Sequence, residues 1–387
     1  MEQAMQQFQG AAPRASTRPD PRARPPLSAF FPALSGPRDR IASLDALRGL
    51  AALMVVLHHA NYMVVSHWGP AMLWALDWTP LRVLKAGRPA VVFFFVLSGY
   101  VLTLALLRQR RPVSLVNWAA RRTFRLLPPV FASVLLSAGL CWWLAGERPI
   151  DDLGLLVAVS WRDPPDVVAL LRHMALLDSG DYAYPMNIVL WSLVHEWRVS
   201  LVVPLVLLFR GKAALLLGIA LLLRSAAIAA GAEEDAAMTG RALHSTVVAT
   251  TYFLFAFAAG AALALKEPLD TLAGSVRWAA WAAVAAAAAS RSDLAVVGAS
   301  VLLILLARGE GGAFARRLRW PALRWLGRVS YSLYLVHVPV ALALAHALHG
   351  HLPAPAIAAL TVVLALPAAA AFYRVVERPA LLLSRRL

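Results

Sequence analysis

The chain has 387 residues, of which 60% are hydrophobic and only 15% charged, with a mean hydropathy of +0.65. A water-soluble domain devotes about a quarter of its residues to charge, so the composition excludes that class and points to a polytopic membrane protein. The net charge of +16 would suggest nucleic acid in a soluble protein; here it reads as basic loops retained on the cytoplasmic side, with no nucleic-acid partner.

Residues 1–40 hold Arg14, Arg18, Arg22, Arg24, Arg38 and Arg40 among Pro, Ala, Ser and Gln, and lack the apolar core of a signal peptide. They read as a disordered cytoplasmic tail brushing anionic headgroups. A membrane domain is expected over 41–380 and a short cytoplasmic end at 381–387. Apolar runs long enough to cross about 30 Å of hydrocarbon predict an all-α transmembrane bundle of about ten spans. They fall at 43–65, 89–107, 126–145, 188–209, 213–230, 245–265, 273–290, 293–308, 325–346 and 354–376, the seventh and eighth being short and Ala-rich. An even number of spans puts both termini in the cytoplasm, and most of the 37 Lys and Arg then lie on that side. The longest outer segment, 146–187, is rich in Pro, Asp and Gly and predicts loops and short surface helices around a vestibule. Cys141 is alone, so no intrachain disulfide can form.

The first run, "LDALRGLAALMVVLHHANYM", carries Asp45, Arg48, His58 and His59. At 100° per residue the eleven steps from Arg48 to His59 close to within about 20° of three full turns and climb about 16 Å, so the two side chains share one wall of a common channel. Asp45 is placed to pair with Arg48, and His58 points about 80° aside. Taken singly, a helix-end ion pair and an interior histidine would explain these groups; on one face they mark a functional path.

Four later stretches repeat the pattern of polar groups in apolar helices. They are "FFFVLSGYVLT" (93–103), "RRTFRLLPPVFAS" (121–133), "NIVLWSLVHEWRVSLVVPL" (187–205) and "LGRVSYSLYLVHVPV" (326–340). With the Arg48–His59 spacing after "SLDALRGLA", these five in order resemble the membrane-bound acyltransferase type 3 family over about 41–380. After Glu196 that family commonly has a Gln-Phe-Tyr run, whereas this chain reads "WRVSL".

The resemblance implies an integral membrane O-acyltransferase of the inner or plasma membrane. It would move an acyl group, acetyl foremost, from cytoplasmic acyl-coenzyme A to a hydroxyl of a carbohydrate or related envelope or secondary-metabolite acceptor. Some members of the family continue into an extracytoplasmic hydrolase-like domain, and any such second chemistry is expected from another protein. The reaction needs a base, and His59 fits because imidazole titrates near neutrality; an acyl-histidine intermediate is the alternative. Arg48, Arg121, Arg122 and Arg125 match the donor's phosphates. Glu196, with Ser192 one turn before it, reads as catalytic or acceptor-binding, or as an ion-pair partner of Arg198 or of an arginine on another helix. Ser330, Tyr334 and His337 make a stripe expected against the first span, with His337 supporting catalysis and Asp45 and His58 as helpers. His346, His349 and His351 lack metal-ligand spacing, and no metal is expected. A secondary transporter is the competing class, since buried Arg, His and Glu also build solute paths.

Overall fold

A computed structural model describes residues 42–109, 114–145, 150, 152–176, 184–232, 243–267, 274–308 and 313–386, and the tail expected at 1–40 lies outside them. Among the described residues there is no strand. The helices are α1 (Ala42–Tyr62), α2 (Pro70–Trp78), α3 (Gly87–Leu107), α4 (Leu115–Leu144), α5 (Gly154–Ala158), α6 (Val167–Met174), α7 (Leu190–Val202), α8 (Ala213–Ala229), α9 (Leu243–Leu265), α10 (Gly274–Ala289), α11 (Asp293–Arg308), α12 (Ala313–Leu318), α13 (Pro321–Leu348), α14 (Ala354–Phe372) and α15 (Arg378–Ser384).

Helices occupy all ten predicted positions, and among the described residues six segments are long and apolar enough to cross a membrane: Gly87–Leu107, Leu115–Leu144, Leu190–Phe209, His244–Leu265, Pro321–Leu348 and Ala354–Ser384. Helix α1 has 21 residues, yet its Asp, Arg and His groups dilute its apolarity. The described extents of α8, α10 and α11 are 17, 16 and 16 residues. At 1.5 Å per residue those described extents are about 24–26 Å.

Two boundaries differ in ways that matter for the site. Helix α4 begins eleven residues before the predicted start, where Ser114 Oγ accepts from the Asn117 backbone N–H at 3.3 Å; an N-cap of this kind satisfies one of the first turn's free donors. Its 30 residues reach about 45 Å, so Arg121, Arg122 and Arg125 stand on a helix wall and not in a loop. At the other end, α14 passes through a π-helical turn at Tyr373–Glu377 into α15, so helix runs past the predicted span end at 376 as far as Ser384.

The outer segment is more than surface. Trp161 and Tyr184 are fully buried. The Trp161 indole N–H donates to Ser137 Oγ at 2.9 Å, Ser137 donates to the Met186 carbonyl, and Asn187 Nδ2 donates to the Leu335 carbonyl at 2.8 Å. Buried indole and amide groups need such partners, and here they bind the segment to α4 and α13. At the surface, His349 sits 2.9 Å from Asp152 and holds that carboxyl below its ordinary 3.8 through their hydrogen bond.

One set of charges inside the bundle is closely paired, which offsets the cost of a low dielectric. Arg88 makes two bonds to Asp293, at 3.2 and 2.8 Å, Tyr252 donates to the same carboxylate at 2.9 Å, and Arg224 donates to Tyr252 at 3.0 Å. This network joins α3, α8, α9 and α11.

The contact that builds the site is between α1 and α13, helices far apart in the chain. Gly49 faces Gly327, and a Cβ on Gly327 would run into the Asp45 carbonyl. Small residues let two backbones approach this closely. The close crossing brings Arg48 and His59 within reach of α13.

Candidate active site

Arg48 reaches across the crossing. Its Nε donates to Ser330 Oγ and its Nη2 to the Gly327 carbonyl, both at 3.0 Å, while Asp45 pairs with it at 3.0 Å. Three fixed partners hold the guanidinium in one orientation. Beside it opens a cavity enclosing about 1140 Å³, including its open mouth. Arg48, Arg122, Arg125 and Arg328 line it together with Glu196 and Glu377. Arginine thus outnumbers carboxylate in the lining, and planar guanidinium forks suit phosphate oxygens.

The second polar group of α1 lies deeper. His59 Nδ1 is 3.0 Å from His337 Nε2, and the ring centroids are 5.1 Å apart. His337 Nδ1 is 3.0 Å from the Leu333 carbonyl. A carbonyl can only accept, so with both rings neutral His337 carries its proton on Nδ1 and offers Nε2 as an acceptor. His59 therefore donates from Nδ1, which leaves its Nε2 with a lone pair. The backbone of α13 in this way fixes the tautomers of both imidazoles.

Neither histidine lines the cavity. Phe94 and Tyr334 do line it; they meet edge to face at 5.9 Å, and Tyr334 lies 6.0 Å from His337, ring centre to ring centre. The cavity lining thus reaches Tyr334, the ring next to His337, without including either histidine. The shared face expected for Arg48 and His59 is present, because both side chains contact α13.

Other predicted groups divide. Tyr334 belongs to the stripe with Ser330 and His337 but turns its hydroxyl to Ser192 of α7 at 2.7 Å, and both hydroxyls lie 3.2 Å from the Val189 carbonyl. Glu196 sits in the cavity wall, 3.7 Å from Arg122 and accepting from Ser98 at 3.3 Å. It is not joined to the histidine pair. Arg198 turns the other way, onto Thr246 and Thr250 of α9. Arg121 is exposed and absent from the cavity wall; one residue along α4 is a 100° rotation, so only Arg122 and Arg125 of the basic cluster point inward. His58 stacks on Tyr62 at 5.7 Å and meets His59 edge-on at 5.2 Å, its ring packed against Gly87. Among the described residues no three His, Cys, Asp or Glu side chains gather as a metal site would require.

Two cavity residues escaped the sequence reading. Arg328 reads as one more basic residue at a span end, and Glu377 as part of "VVERP" beyond the last apolar run. The available signal was a carboxylate directly after a membrane helix, which needs a partner.

This geometry defines a membrane-embedded site with an arginine-lined cavity near an imidazole pair. The profile of an acyltransferase domain matches residues 41–374, and the chain belongs to that family. It is similar to BcsY of Komagataeibacter xylinus, named as a membrane-bound transacylase, with 32% identity over 43% of this chain and 35% of that protein. It is also similar to the peptidoglycan O-acetyltransferase OatA of Listeria monocytogenes, at 25% identity over 78% of this chain and 50% of the relative. The O-acetyltransferase PaAT-1 of Phomopsis amygdali shows 27% identity over 43% of this chain and 39% of its own length. The chain spans half or less of the length of these curated relatives. No solved structure matches it.

Proposed function

We propose that the chain is an acyl-coenzyme A-dependent O-acyltransferase of the cell membrane, its membrane domain covering 41–380 and both termini cytoplasmic. Relatives named as O-acetyltransferases support acetyl as the group moved. A hydroxylated carbohydrate or related envelope or secondary-metabolite molecule is the acceptor. The arginine-lined cavity opens to the cytoplasm, the side where basic residues accumulate.

The observation that carries this reading is the double bracing of α1 on α13, with Arg48 held in the cavity and His59 held with its Nε2 lone pair available. The donor's phosphates rest on Arg48, Arg122, Arg125 and Arg328, and the thioester arm displaces Phe94 to reach the histidines. His59 Nε2 takes the proton of the acceptor hydroxyl as its oxygen attacks the thioester carbonyl. The tetrahedral adduct collapses, the C–S bond breaks, and the proton passes to the leaving thiolate, giving ester and free thiol. Removing a positioned base costs about 10²–10⁴ in rate. In purified full-length protein His59→Ala loses at least a hundredfold in acetyl transfer to envelope glycans with unchanged thermal unfolding. Full turnover in that variant would remove His59 from the chemistry. Movement of an intact solute without acyl turnover would point to the transporter class instead.

A further inference from the structure

The cavity built for an anion contains a buried carboxylate, and repulsion should make that costly for any phosphate-bearing ligand. Glu377 is only 6% exposed and lines the cavity from the π-helical turn. One of its oxygens, Oε2, is fully engaged: the Ser332 backbone N–H and hydroxyl both donate to it, at 3.1 and 2.5 Å. The other, Oε1, has no hydrogen-bond partner among the described residues and is not sealed from the cavity. Arg48 and Arg125 supply the positive charge that faces it.

A carboxylate needed only as a counter-charge could point either oxygen at a guanidinium. This one is clamped by α13 through Oε2, leaves Oε1 without a hydrogen bond, and belongs to the cavity lining, and π-helical turns recur at functional sites. We propose that Glu377 is a donor-recognition residue: its Oε1 accepts a hydrogen bond from an amide or amine N–H of the acyl donor while the arginines hold the phosphates. The cavity is thereby selective for a phosphate-bearing thioester with an N–H group at a set distance from its phosphates, against simple polyphosphates. This rests on the acyl-coenzyme A reading above and adds a specificity residue to it. Ser332 is then a positioning residue, acting through Glu377.

The test uses full-length protein in lipid nanodiscs and two probes, coenzyme A and inorganic pyrophosphate, which has phosphates but no N–H. Glu377→Gln keeps the size of the side chain and an oxygen for Ser332. Loss of a charged hydrogen bond weakens binding about tenfold or more, whereas loss of the negative charge alone tightens any polyanion. The expected result is that the Kd of coenzyme A divided by that of pyrophosphate rises at least tenfold in the variant, with thermal unfolding unchanged. If both ligands tighten together, or neither changes, Glu377 is a counter-charge or a packing residue and the inference is overturned. If the wild-type protein binds pyrophosphate but not coenzyme A, the acyl-coenzyme A reading fails and takes this inference with it.

Discussion

His59 and His337 lie 3.0 Å apart, nitrogen to nitrogen, and the Leu333 carbonyl 3.0 Å behind His337 decides which of them donates. A base whose tautomer is imposed by a main-chain carbonyl cannot rearrange when the ligand arrives. His337→Ala frees the His59 ring to rotate, so on the proposed mechanism kcat falls about tenfold to a hundredfold while KM for the acyl donor stays within twofold, since the cavity arginines are untouched. Steady-state kinetics with acetyl-coenzyme A separates the two parameters; a rise in KM alone would show that His337 acts in binding.

The arginines on α4 divide by direction. Arg122 is buried in the cavity wall while Arg121 faces out. Arg122→Ala raises KM for the donor about tenfold or more, the range for losing a hydrogen bond to a charged group. Arg121→Ala leaves KM within twofold. Equal effects from both substitutions would mean that the ligand lies along the outer face of α4.

Phe94 and Tyr334 meet edge to face in the cavity wall, next to His337, where the proposed passage of the thioester arm would run. Phe94→Ala removes a ring from that passage, and each methylene accommodated in an apolar pocket is worth about 1–3 kcal/mol. The ratio of kcat/KM for butyryl over acetyl donor should therefore rise about tenfold or more, measured by release of free thiol. A constant ratio would place the acyl group elsewhere.

Where the helices cross, Gly327 leaves no room for a methyl group because the Asp45 carbonyl occupies its place. Gly327→Ala forces α1 and α13 apart at about 1–3 kcal/mol, and Arg48 loses contact with Ser330. Thermal unfolding in detergent should show a lowered midpoint together with a weakened donor affinity. A stable variant with weak binding would locate the effect in Arg48 alone.

Asp152 and His349 give the opposite expectation. The pair is exposed, 65% on the carboxylate side, and such pairs contribute about 0–1 kcal/mol. Because His349 holds the Asp152 carboxyl below 3.8, the contribution is present above that pH and is lost as pH falls through the lowered value. At neutral pH Asp152→Asn should shift stability by no more than about 0.5 kcal/mol.

Some of this site was readable before any coordinates. The helical period places Arg48 and His59 on one face, and both do meet α13; the Asp45–Arg48 pair and the Ser330–His337 stripe follow from the same arithmetic. What period cannot supply is the identity of the facing residue. Phe94 is one apolar residue in a run of them, and nothing local marks it as the ring beside Tyr334. The exclusion of Arg121 depends on the phase of α4, set by a cap at Ser114 that precedes the apolar run. Glu377 was hidden because its partner Ser332 lies 45 residues away on another helix. Ten helical positions were legible from hydropathy, and among the described residues six segments are long and apolar enough to cross a bilayer.

The His59–His337 pair joins residues 278 positions apart, which has a consequence for how the protein is made. Helix α1 leaves the ribosome early, with the Arg48 guanidinium and the His59 imidazole on its flank, and the helix that will engage them is not yet synthesised. During that interval those groups face translocon or lipid, so biogenesis itself has to shelter them. A nascent chain cut short before α13 has no finished centre of any kind, whatever else it has folded.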